Sequence, residues 1–157
     1  MLLDADVLID YVKVDIRRLV SIISGIGRLF VIQPVAEEVK DVENEAELID
    51  AGLTILDPAI EDLLMADHRS PGVSFQDQLC LLTAKRHDLI CVTNDKRLRS
   101  ECRRTGTRTM RGLRPLIILA RLGEIGRADA LRIARTIREN NPHHITSKIL
   151  SDFEKSL

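Results

Sequence analysis

Short apolar runs alternate with longer amphipathic ones along most of this chain. "MLL" at residues 1–3 reads as a buried strand. "LFVI" (29–32), "LTIL" (53–56) and "LICVT" (89–93) repeat that signature with β-branched residues. "RTM" (108–110) is a shorter candidate for a fifth strand. Helical patterns lie between them. "VDIRRLVSIISGIG" puts Ile16, Leu19, Val20 and Ile23 on one face and stops at Gly25 and Gly27. Pro34 stands at the tolerated first-turn position of a helix carrying "VAEEV". Further helices are predicted over "PAIEDLLMAD" and over "DKRLRSECRRTG", which ends at Gly106. Another spans "FQDQLCLLTAKRH", capped by Ser74, with Leu79, Leu82 and Thr83 facing inward. Strands separated by helices predict βαβ units and a parallel sheet of four to five strands.

From "GLRPLIILARLGEIG" onward the pattern is only helical, with helices near 112–122, 127–140 and 145–156. Gly123, Gly126 and the Asn140-Asn141-Pro142 turn break it. The chain therefore divides into an α/β core at 1–112 and a helical C-terminal extension at 113–157. Leu116, Ile117, Leu119 and Ala120 make an apolar run wider than one helix stripe, and Leu131, Ile133, Ala134 and Ile137 recur at helical spacing. That much apolar surface must pack on the core or be covered by a second copy.

Composition sharpens this picture in three places. Aromatics are only 3% and Trp is absent, so the core is built of aliphatic side chains, as suits helices on a buried sheet. No apolar run approaches the ~18 residues needed to cross a bilayer. No signal-peptide pattern precedes Asp4. The three cysteines, Cys80, Cys91 and Cys102, show no metal-type spacing and are expected to be reduced structural thiols. A cytoplasmic protein with no membrane association is the expectation. The net charge of −1 hides an asymmetry. Residues 37–67 hold eleven acids and one base, and residues 96–114 hold eight bases and one acid. A basic stretch of that kind is either a solvated helix face or a phosphate-binding surface.

The candidate chemistry lies in acids that recur at strand ends. In an open parallel sheet, ligands bind beyond the carboxyl ends of the strands. Asp4 follows the first strand and Asp95 the fourth, in "CVTND". Glu38 follows the second, and Asp77 opens the helix leading into the fourth. Each has an ordinary alternative. Asp4, Asp6 and Asp95 suit helix N-caps, while Glu37, Glu38 and Asp77 suit first turns, where the helix dipole favours acids. Convergent carboxylates nevertheless repel and resist desolvation unless a cation holds them. An all-oxygen set suits Mg²⁺ or Mn²⁺. Such ions support phosphodiester hydrolysis without a nucleophilic side chain. His143 and His144 lack a third ligand nearby in sequence and read as solvated or capping residues.

The segments "LLDADVLID", "VAEEV" and "FQDQLCLLTAKRHDLICVTND", in that order, resemble a PIN domain, the nuclease fold of VapC-type toxins and related ribonucleases. The resemblance covers roughly residues 1–112. It implies a three-layer α/β/α fold and a Mg²⁺- or Mn²⁺-dependent endoribonuclease. Asp4, Glu38, Asp77 and Asp95 fall at that family's acidic positions, with Asp6, Thr93 and Asn94 beside them. The adjacent Glu37 leaves the choice of Glu38 resting on register. An RNA substrate, an antitoxin protein and a homodimer are implied partners. Lys96, Arg97, Arg99 and Arg103 follow Asp95 directly and are candidates for holding RNA phosphates. Two other functions remain open. A haloacid-dehalogenase-like phosphatase would use Asp4 as nucleophile and Asp6 as acid/base, although Leu8 stands where that pattern needs Thr. A PIN-like protein that binds or regulates without catalysis is the other.

Overall fold

The computed structural model of the protein describes residues 1–40, 44–68 and 71–157. Five short parallel strands form one sheet in the order β3-β2-β1-β4-β5. They are β1 (Leu2–Leu3), β2 (Phe30–Ile32), β3 (Thr54–Leu56), β4 (Cys91–Val92) and β5 (Thr109–Met110). Each lies inside a run that the alternation marks as a strand. Leu2 and Leu3 of the central strand are fully buried. Successive strand residues face opposite sides, so both faces of the sheet are covered. Each such leucine contributes about 1.5–3 kcal/mol by leaving water.

Nine helices lie around the sheet among the described residues. The first, α1 (Ala5–Ile23), begins directly after β1, nine residues ahead of the start its leucine periodicity suggests. It bends at Asp15, where the backbone is extended and the Asp15 carboxylate accepts from the Arg18 N–H at 3.0 Å, capping the second half. A four-residue helix, α2 (Gln33–Ala36), follows β2 and stops before Glu38. The helix α3 (Glu45–Asp50) has only one buried residue, Leu48. Then come α4 (Ile60–Asp67), α5 (Phe75–Arg86) and α6 (Lys96–Arg104). The extension supplies α7 (Arg114–Leu122), α8 (Arg127–Asn140) and α9 (Ser147–Ser156).

These helices form two packed groups, α1 with α7 and α8, and α5 with α4 and α6. The architecture is α/β with a parallel central sheet, compatible with three α/β/α layers. A bidentate pair joins the second group, with Arg86 Nε and Nη2 donating to the buried Asp62 at 2.7 and 2.8 Å. In the extension, Leu116, Leu119, Ile133 and Ile137 are buried in the same core as β1. The apolar width of the extension is thus taken up inside the molecule. Large apolar side chains exposed to solvent sit mainly on α4, at Ile60, Leu64 and Met65. The buried Tyr11 hydroxyl donates to the Gly112 carbonyl at 2.7 Å, tying α1 to the segment that enters the extension. No helix among the described residues is long and apolar enough to cross a membrane. All three cysteines are buried and free.

Candidate functional site

The strand order reverses at β1, which pairs with β2 on one side and β4 on the other. That reversal opens a crevice at the carboxyl ends of β1 and β4, the usual ligand position in such sheets. The crevice is acidic. Asp4 leaves β1 and caps α1, accepting from the Val7 N–H at 2.9 Å. Asp95 follows β4 and caps α6, accepting from the Leu98 N–H at 2.6 Å. Asp77 sits at the third position of α5 in a reciprocal capping box with Ser74. A helix feeding a parallel strand starts at the carboxyl edge, which brings the start of α5 to this crevice. Glu38 lies in the turn after α2, not on the longer helix that "VAEEV" suggests.

Capping and clustering are therefore not alternatives here. The same aspartates cap their helices and repel one another. Asp4 is only 2% exposed. Burial pushes its carboxyl up to about 7 against hydrogen bonds from Thr93 and Val7, with further elevation by Asp6 and Asp77. Burial raises Asp6 as well, against the nearby His144, and Asp77 and Asp95 add to the rise. Glu38 is raised by partial burial, Asp77 and Asp6. Five carboxylates from four distant segments thus act on one another. No ion pair among the described residues engages Asp4, Glu38, Asp77 or Asp95. Nor are any three Asp, Glu, His or Cys side chains among those residues already placed closely enough to hold a metal ion.

The polar frame around the acids is ordered. Thr93 is fully buried, and its Oγ1 accepts from the Asp95 N–H at 3.0 Å. Asn94 accepts from the Gly112 N–H at 3.1 Å and offers its amide to Asp10 at 3.4 Å. A Cβ at Gly112 would be tight, 3.1 Å from Val7 Cγ2 and 3.2 Å from the Asn94 amide nitrogen, so both neighbours would have to shift. Arg99 donates to the Thr93 carbonyl at 3.2 Å. Its guanidinium is partly buried and crowded by Arg111 and Arg103, with Asp95 and Asp4 opposing. Basic side chains thus reach the flank of the acidic crevice. Arg97 is committed elsewhere, donating to the Gly72 carbonyl at 3.3 Å. Lys96 and Arg103 are exposed.

Three residues of this frame escape the sequence reading. Asp10 is buried and accepts from the Asn141 amide at 2.9 Å, across 131 residues of sequence. Its carboxyl is pushed up to about 6, mainly by burial. His144 brings Nδ1 to 2.9 Å from Asp6 Oδ2. The α8–α9 turn of the extension therefore touches the acidic crevice, and His144 is neither a free surface residue nor a cap. A local signal existed for Asp10, since Asp6 and Asp10 are four apart on one helix face. None existed for Asn141 or His144.

The donor set fits a hard divalent cation. It offers carboxylate oxygens and no thiolate, and among the described residues the four acids make no ion pair, with only the Arg99 guanidinium acting on Asp95 and Asp4 from the flank. Adjacent Glu37 and Glu38 differ in this respect. Glu37 is exposed and accepts from the Gln33 amide at 3.1 Å, whereas Glu38 senses Asp77 and Asp6. Glu38→Gln is accordingly expected to reduce the rise in melting temperature on adding Mn²⁺, and Glu37→Gln to leave it unchanged. Thermal melts of both variants with and without Mn²⁺ check this, and a loss confined to Glu37→Gln would exchange their roles. No protein-family model and no curated protein sequence matches the chain.

Proposed function

We propose that the chain is a divalent-metal-dependent endoribonuclease of PIN type that hydrolyses RNA phosphodiester bonds. The observation that supports this best is the electrostatic coupling of Asp4, Asp6 and Glu38 to Asp77 and Asp95 near the switch point, with Asp4 itself buried. Asp4, Glu38, Asp77 and Asp95 would hold Mg²⁺ or Mn²⁺, with Asp6 beside them. A cation held there would supply Lewis acidity for the hydrolysis. The chain's own residues supply the rest. Glu38, the least buried of the raised acids, would use its second carboxylate oxygen to orient the attacking water and accept its proton. Thr93 and Asn94 hold the Asp95 loop in place. Arg99, Arg103 and Arg111 lay the phosphate backbone along the crevice, so affinity should fall with salt. An antitoxin partner and a homodimer belong to the same proposal through the resemblance to VapC-type toxins.

The phosphatase alternative fits less well. Asp4 is buried and is used as a cap, both of which oppose nucleophilic attack. Leu8 lies in the apolar core where that pattern needs a hydroxyl. The deciding experiment incubates the full chain with a mixed RNA pool and, in parallel, with p-nitrophenyl phosphate, each with Mn²⁺ or with EDTA. A ribonuclease cuts the RNA with Mn²⁺ only and leaves the small ester intact. Ester hydrolysis with intact RNA would favour the phosphatase, and no turnover of either would favour a binding protein.

A further inference from the structure

A cavity of about 350 Å³ lies between the carboxyl end of β5 and helices α7 and α9. Its wall is apolar, with Met110, Ile117, Ile149 and Phe153 among the lining residues. Arg111 and Arg114, both exposed, stand in the same lining. Asn94 lines it too, and Asn94 adjoins Asp95 of the acidic crevice. The pocket therefore begins one residue along the chain from Asp95, and its Asn94 contacts Asp10 of the polar frame.

We infer that this pocket receives one base of the RNA strand next to the scissile phosphate. The inference rests on the ribonuclease reading for its substrate, but on different residues. The volume falls in the range of small-ligand sites, about 300–1,000 Å³. A flat heterocycle suits an apolar wall that includes an aromatic ring. Charge complementarity points to a polyanion. Arg111 crowds Arg99, as does Arg103, so a basic track runs from α6 to the pocket. A strand following that track sets its phosphates beside Asp95 and a base over Phe153. Asp152 also lines the pocket, and no ion pair among the described residues engages it. A carboxylate there accepts from adjacent N–H donors on a base edge, which guanine supplies as a pair. The pocket is thus a specificity site that prefers guanine and is built partly by the C-terminal extension.

The test has a binding arm and a cleavage arm, both on the full chain. In the first, the isoleucine methyls of Ile117, Ile145 and Ile149 are followed by NMR while GMP, AMP, CMP or UMP is added. GMP should shift them saturably and bind roughly tenfold tighter than UMP. Asp152→Asn, an exposed change that leaves the core untouched, should erase that preference. Ile149→Trp should fill the cavity and abolish the shifts. In the second arm, cleavage positions in a mixed RNA pool with Mn²⁺ should cluster at one base in the wild type and spread in Asp152→Asn. Base binding without metal-dependent cleavage would leave the pocket standing and sink the ribonuclease reading. Cleavage with no methyl shift for any nucleotide would overturn the pocket while leaving the nuclease intact. Equal shifts for all four nucleotides would overturn its selectivity.

Discussion

Replacing Asp4 by Asn is expected to lower metal-dependent RNA cleavage at least about a hundredfold, since even outer-shell partners of a metal site cost 10–100-fold. The fold should survive. Asn caps helices about as well as Asp, so the bond to the Val7 N–H can be kept while the charge is lost. Asp95→Asn follows the same logic through its bond to the Leu98 N–H. This separates the two roles of each acid. If Asp4 and Asp95 served only as caps, the Asn variants would cut RNA like the wild type. Circular dichroism and initial cleavage rates, measured on the same samples, distinguish the cases.

The second large effect is on stability without metal. Burial pushes Asp4 up to about 7 and Asp10 up to about 6, far above the ~3.9 of an Asp in an unfolded chain. Between those limits the folded chain holds protons that the unfolded chain has released. Linkage then makes stability fall as pH rises through the window. From about pH 5 to about pH 8 in EDTA, the loss should be roughly 2–4 kcal/mol. Asp4→Asn is neutral throughout, so it should flatten much of the slope and exceed the wild type in stability at the alkaline end. Bound Mn²⁺ should oppose the loss, because it binds the folded state with the acids ionised. Urea unfolding across that range measures both. A metal-free wild type that gained stability steadily toward alkaline pH would contradict the desolvated cluster.

Much of the fold was legible because the strands are short apolar runs and five of them recur between helical patterns. The exceptions have physical reasons. The start of α1 was hidden because its first turns carry Asp6 and Asp10, polar residues that look like loop until Tyr11 and Leu8 are seen buried. The helix α3 buries only Leu48 and so shows no amphipathic stripe. "VAEEV" stops being helical at Ala36 although its residues favour helix, leaving Glu38 in a turn where it senses Asp77 and Asp6. Two members of the frame could not be read locally. Asn141 reaches Asp10 across 131 residues, and His144 reaches Asp6 from the same turn. Sequence spacing carries no trace of such contacts, because they depend on how α8 packs against α1.

The most direct measurement is a calorimetric titration of Mn²⁺ into the full chain near neutral pH, compared with Asp4→Asn, Asp77→Asn and Asp95→Asn. A cation held in the crevice by Asp4, Asp77 and Asp95 together with Glu38 requires saturable binding by the wild type and at least about tenfold weaker binding by each of these variants. Proton release on binding should accompany it, since Asp4 must ionise. Wild-type affinity retained in all three variants would place the cation elsewhere and contradict the site.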